Sequence, residues 1–326
     1  MRSRVTLVLA ITAVVLGGVL LVPTAYARLA SDDSGGGGGG TSSVAAPAPT
    51  PPPPPTLAAG PVSVSFKGQF FSWALLDRKT GKISGSPNMT ATSSTESMIK
   101  AWIVSDYLRQ LGDREPSAEK LKYATAAIRD SSDDAANWLY SAAGGSYKAL
   151  PGGQPSPVLK RAISICRLTD TKRSNIPDYE GWWSFTRMSP RDAVRLGDCI
   201  ADGKAAGPKW TKWVLNEMAQ VRGSVTKQQE RSGGGRWGII DGLPKSITAQ
   251  GPVSIKNGWT QIAYDNNWHV NCLAVTSKWS LAVMLRYPIK SGLSYGAKVC
   301  ASVATQLVTP QPGAALKVPQ QPVGKL

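Results

Sequence analysis

The chain has 326 residues, with 37 Lys and Arg against 21 Asp and Glu for a formal charge of +16, and it carries 33 Gly, 24 Pro and 11 Trp beside four Cys and one His. These totals exclude a wholly disordered protein, a multi-span membrane protein and a small disulfide-stapled scaffold, and one His excludes a multi-histidine metal centre, so no metal or other cofactor is expected. Residues 1–60 carry only Arg2, Arg4 and Arg28 against Asp32 and Asp33, so nearly all of the charge belongs to the remaining, roughly 250-residue part, enough for one large domain or two small ones.

Arg2 and Arg4 precede an uncharged apolar run from Val5 to Val22, then Pro23 and the small-residue pattern Ala25-Tyr26-Ala27. This is the layout of a secretory signal peptide over residues 1–27. The run approaches the ~20 residues that span a bilayer, so an uncleaved N-terminal membrane anchor is the alternative. Both place the rest of the chain outside, secreted or at the cell envelope. Residues 28–60 read as a linker that moves from the Gly35–Gly40 tract to the Pro51–Pro55 run, from flexible coil to stiff spacer. A folded domain is expected over 61–308 and an unfolded tail over 309–326.

Within the domain, Val62 to Phe66 alternates like a strand, and Phe71 to Leu76, a turn at Asp77–Gly81 and Ile83 read as a hairpin. Helical spacing runs over 97–111, 117–129, 134–142, 189–202 and 210–221. Short β-rich segments follow at Trp237–Ile240, Val253–Ile255, Trp268–Val275 and Trp279–Leu285, then a last helix over Tyr295–Leu307. Strands at both ends with helices between them predict an α+β fold, an antiparallel sheet flanked by helices with a helical lobe inserted. Four cysteines in an exported chain allow three pairings; the expected one joins Cys166 to Cys199 and Cys272 to Cys300.

Three short segments bear on chemistry. Ser97-Met98-Ile99-Lys100 opens the first long helix, Ser131-Ser132-Asp133 precedes another, and Lys256-Asn257-Gly258 lies in a strand. A Ser and a Lys three apart share a helix face, and a desolvated lysine beside other cations can be neutral enough to take a serine proton. Each segment alone is weak, since Ser97 could be a helix cap and Lys100 a solvated charge. The trio, in order and on suitable elements of an exported chain, points to lysine-assisted serine chemistry.

In these segments the chain resembles the penicillin-recognising serine hydrolases, the superfamily of class A β-lactamases and D-Ala-D-Ala peptidases. The resemblance runs from about Phe70 to Val308 and extends to Asp134-Ala135-Ala136-Asn137, to Arg167-Leu168 as the entry to an omega loop, and to Ser189-Pro190 after it. It implies a β-lactamase/transpeptidase-like fold with Ser97 as acylated nucleophile, Lys100 as proton acceptor, Ser131 as proton relay, and Asp133, Lys256, Asn257 and Gly258 as substrate-binding positions. The departures are specific. Asp133 stands where an Asn amide is usual, although a shift by one residue would make Ser132 the relay instead of Ser131. Asn257 replaces a Thr or Ser hydroxyl. No Glu stands at the matching omega-loop position, Asp170 and Glu180 being the nearest carboxylates, so slow deacylation is expected. The short Ser97–Ser131 interval implies a reduced all-α lobe.

The expected substrate is a β-lactam or a D-Ala-type cell-wall peptide, with a catalytically impaired cell-wall-binding module of the same fold as the alternative. The charge on an exported domain implies attraction to anionic envelope polymers. Dispersed basic residues and export argue against nucleic acid. His269, in an alternating strand, reads as structural and distant from the Ser/Lys site, and most of Trp182, Trp183, Trp237, Trp259 and Trp268 read as core.

Overall fold

The hairpin at the start of the domain follows from its turn chemistry. Asp77 accepts hydrogen bonds from the backbone N–H groups of Lys79 and Thr80, and Gly81 supplies the left-handed φ of +72° that returns the chain. β1 (Phe70–Asp77) thus pairs antiparallel with β2 (Ile83–Gly85). In this computed structural model, residues 53–226 and 234–310 are described. The expected signal segment, the expected linker up to residue 52 and the expected tail from residue 311 lie outside the described residues.

Other strands join to form an antiparallel sheet in the order β2-β1-β8-β7, where β8 is Trp279–Pro288 and β7 is Asn267–Val275. Both β5 (Ser254–Ile255) and β6 (Gly258–Ile262) pair with β7, in one continuous register that sets Ile255 opposite Ala274 and Gly258 opposite Asn271. Lys256 keeps the ladder by donating its N–H to Leu273 O at 3.0 Å. All nine residues of β7 are buried, because helices cover both sheet faces.

On one face α5 (Pro190–Ala201) crosses β1, β7 and β8, so close that a Cβ on Gly197 would meet Ser280 Oγ at 2.4 Å. On the other face α8 (Gly292–Leu307) packs on β7 and β8, and the Cys272–Cys300 disulfide ties it there. The helical lobe comprises α1 (Lys100–Leu111), α2 (Ala118–Arg129), α3 (Asp133–Ala142), α4 (Pro157–Cys166) and α6 (Gly207–Ala219). Cys166–Cys199 links α4 to α5, so both expected pairings are present. Only α1 and α2 stand between Ser97 and Ser131. A short α7 (Lys245–Thr248) and a two-stranded pair, β3 (Ser93–Ser94) with β4 (Arg187–Met188), complete the elements.

Two expectations are corrected, and one helix is added. Val62 to Phe66 forms no strand, since both edges of β1 are taken by β2 and β8; Phe66 instead packs its ring on Phe71, Tyr287 and Tyr295. Trp237–Ile240 enters a 3₁₀ turn over Gly238–Gly242, begun by Gly238 at φ +83° with its N–H held by Asp241. α4 was not foreseen, although Ser156 caps it and Pro157 opens it. No helix among the described residues is long and apolar enough to cross a membrane. At the other limit of the body, Leu57 is buried and bridges Val308, with Ala58 N–H donating to Leu307 O and Thr309 N–H to Thr56 O.

Candidate active site

Ser97 sits in a 3₁₀ turn, Glu96–Ile99, that runs directly into α1 at Lys100. Glu96 enters this turn at φ +48°, and the following residues tuck under β6. A Cβ on Gly258 would meet Met98 N and Thr95 O at 2.5 Å and Ser97 N at 2.7 Å, so only glycine lets the strand pass this close to the serine's peptide. Gly258→Ala is therefore expected to force β6 away from this peptide and to cost about 1–3 kcal/mol of stability. Denaturant melts of the variant check it.

Ser131 lies at φ +56° immediately before α3, while Ser132 caps that helix by accepting from Ala135 N–H. The bend turns Ser131 Oγ between two lysines. Lys256 Nζ donates to it at 2.9 Å and Lys100 Nζ at 3.3 Å. Lys100 Nζ also donates to Ser131 O and to Asp133 Oδ1, both at 2.5 Å, and lies 5.1 Å from the centre of the Trp183 ring. Both ammonium groups are fully buried. Burial pulls the Lys100 pKa down, opposed by Asp133, and pulls that of Lys256 well down, reinforced by the Lys100 cation.

The structure thus gathers Ser97, Lys100, Ser131, Asp133, Lys256 and Gly258, and leaves out Asn257. Strand alternation turns the Asn257 side chain to the opposite side, where Nδ2 donates to Gly235 O at 2.7 Å and Trp237 O at 2.8 Å. Ser97 Oγ is half-buried and, among the described residues, makes no hydrogen bond.

Of these, Ser97, Ser131 and Asp133 open on a cleft of about 230 Å³, lined also by Glu96, Trp182, Trp183, Phe185 and Trp259 among others. Larger hollows of about 300 and 590 Å³ lie elsewhere, beside Trp279 and Pro208, and share no residue with it. The chemistry, not the volume, marks the smaller cleft. Trp182, Trp183 and Trp259 line it; Trp183 is at the same time buried, as are Trp237 and Trp268, so three of the five tryptophans read as core are in the core.

Neither loop carboxylate faces this cleft. Asp170 accepts from Ser189 Oγ at 2.6 Å and from Arg191 at 2.5 Å, and Glu180 borders a separate hollow with Arg173 and Trp102. Besides Asp133, the carboxyl that lines it is Glu96, which sequence reading missed. It is 2 % exposed, and burial pushes its pKa up to about 7 against hydrogen bonds from Ser94 and Thr260. His269 is not among the lining residues, but Ser94 Oγ contacts both Glu96 Oε1 and His269 Nδ1, each at 2.6 Å, so one side chain connects it to the buried carboxyl of the cleft.

No family model and no curated protein sequence matches the chain. Among solved structures it is similar to PBP-A, at 14% identity and a TM-score of 0.51 over 74% of this chain and 89% of that one. It is similar to the TLA-3 extended-spectrum β-lactamase, at 11% identity and 0.54 over 74% and 92%. A class A β-lactamase from Mycobacterium abscessus matches at 12% identity and 0.50 over 74% and 92%. The chain has the fold of the class A β-lactamases and PBP-A, across about three-quarters of its length and at low sequence identity.

Proposed function

We propose that the chain is a divergent penicillin-recognising serine hydrolase of the cell envelope, acylated at Ser97 by β-lactams or D-Ala-type cell-wall peptides. The observation that carries this reading is Ser131 Oγ bridging two fully buried, pKa-lowered lysines beside a half-buried Ser97. Ser97 Oγ attacks the substrate carbonyl as its proton passes to Lys100, and Ser131 with Lys256 returns a proton to the leaving nitrogen. The N–H of Ser97 and the β6 backbone, held together by Gly258, face the developing oxyanion. Asp133 holds Lys100 but as a carboxylate offers no amide N–H, and Asn257 is turned away, so substrate contacts are fewer than the resemblance implies.

Deacylation is slow in this reading, because neither Asp170 nor Glu180 reaches the cleft. Incubation of the purified protein with a labelled penicillin is expected to give one covalent adduct by intact mass, persisting for hours and absent in Ser97→Ala. Absence of adduct at saturating ligand overturns the acylation, and release within seconds overturns the slow deacylation.

The second reading is a cell-wall-binding module of the same fold without turnover, favoured by the displaced Asn257 and by Asp133. It is supported if Ser97→Ala and the natural protein are retained equally on isolated cell wall and neither forms an adduct. Export fits the N-terminal layout and the two disulfides. The formal +16 favours anionic envelope polymers as partners, and secretion or N-terminal membrane anchoring is the proposed localisation.

A further inference from the structure

Behind Ser97 runs a line of side chains, buried except for the partly exposed Asp265 at its end, that the chemistry above does not use. Asp265 Oδ2 lies 2.8 Å from His269 Nε2, His269 Nδ1 lies 2.6 Å from Ser94 Oγ, and Ser94 Oγ lies 2.6 Å from Glu96 Oε1. Asn271 Nδ2 donates to Ser94 O and Thr95 N–H to Thr186 O, fixing the segment that carries Ser94.

Ser94 has one hydroxyl proton for two acceptors. If a neutral His269 gives its Nε2–H to Asp265, Nδ1 must accept the Ser94 proton, and the Ser94–Glu96 contact then requires a proton from Glu96. If Ser94 instead donates to a Glu96 carboxylate, Nδ1 must carry the proton. Every arrangement that makes all three contacts therefore holds one proton more than an ionised Asp265, a neutral imidazole and an ionised Glu96 together. Burial decides where it rests: it disfavours charge on His269, reinforced by Arg286 and Arg187 and opposed by Asp265, and it disfavours charge on Glu96, reinforced by Asp133 and Asp265.

We propose that Glu96, Ser94, His269 and Asp265 form a one-proton chain that holds Glu96 uncharged, and that Ser97 reacts in this neutral state. Glu96 acts as a positioning residue. It shares a peptide with the Ser97 N–H, which faces β6 at the tight passage of Gly258. A carboxylate there would oppose the negative charge that gathers on the substrate oxygen, and its loss of the proton would leave Ser94 unable to satisfy both neighbours. The charged groups that face the chain are Lys100 from α1, Asp133 from α3, Arg187 from β4, Arg286 from β8, and Asp265 with Tyr264 from the turn between β6 and β7. The second half of the proposal rests on acylation at Ser97; the first does not.

The sequence has a single histidine, so nitrogen NMR of the untagged protein reads this chain without assignment. At about pH 6 the imidazole is expected to be neutral and protonated on Nε2, with its signals stepping near the Glu96 pKa of about 7, a step that Glu96→Gln removes. An imidazolium at that pH, the Nδ1–H tautomer, or an unchanged step in Glu96→Gln overturns the chain.

For reactivity, only about one Glu96 in thirty is neutral at about pH 8.5, so Glu96→Gln is expected to acylate roughly tenfold or more faster than the natural protein there, with the ratio falling toward acid pH. The same ratio at every pH overturns the second half. No adduct in either protein at any pH overturns acylation at Ser97 together with that half, and the imidazole spectra then still decide the proton chain.

Discussion

Lys256→Met is expected to lower acylation of Ser97 by about 10²–10⁴-fold while raising the stability of the fold. Lys256 is fully buried, and its Nζ reaches only Ser131 Oγ and, at 3.3 Å, Asn257 O; among the described residues it forms no ion pair. The neighbouring Lys100 cation adds repulsion. Methionine fills a similar volume without a charge to desolvate, so by analogy with buried ionic groups replaced by apolar ones the gain is about 1–4 kcal/mol. The sign with pH follows from the lowered pKa. The unfolded chain binds the lysine proton more tightly than the folded one, so the cost is full below the folded pKa and disappears as pH rises toward 10.5. Denaturant melts should show the variant's advantage largest at low pH and shrinking in alkali. A less stable variant at neutral pH, or undiminished acylation, contradicts this account of Lys256.

Asp192→Ala is expected to cost about 3–5 kcal/mol and to loosen the aromatic wall of the cleft. The Asp192 carboxylate is fully buried and accepts from three successive backbone N–H groups, those of Thr169, Asp170 and Thr171 at 3.2, 2.7 and 2.8 Å. Thr171 Oγ1 and Arg195 complete its shell at 2.8 and 3.0 Å. Alanine leaves these donors without an acceptor, most fully at the buried Thr171 and least at the exposed Thr169. For a domain of this size the fall in Tm is roughly 10 °C. Asp192→Asn, which keeps one oxygen, should lie between. Because the same loop carries Trp182, Trp183 and Phe185, ligand affinity should weaken along with stability. A lower Tm with unchanged affinity would mean that the wall is held independently of the loop's neck.

What could be read from the sequence was set by short-range chemistry. Ser97 and Lys100 lie on one turn, and the motif order reports their meeting with Ser131 and Lys256. The sheet strands 71–76, 268–275 and 279–285 came from apolar periodicity, and the cysteine pairs from an expectation that the fold satisfies. What escaped depends on distant partners. Glu96 looks like a solvated helix-start acid until Thr260 and His269, more than 160 positions later, close over it. Ser131 and Ser132 are equivalent on paper; the cap bond to Ala135 engages the second and the left-handed bend presents the first. Asn257 reads as a damaged substrate contact, but its amide serves the backbone of the turn before it.

The pairing of Thr56, Leu57 and Ala58 with Leu307, Val308 and Thr309 closes the described body into a ring. Its first and last described segments are hydrogen-bonded neighbours, so the backbone path that leaves α8 could re-enter ahead of β1 with little rearrangement. The linear order of nucleophile, relay and strand lysine then reflects only where this ring is cut. The invariant is their cyclic sequence, which a permuted gene opened at another surface turn would preserve.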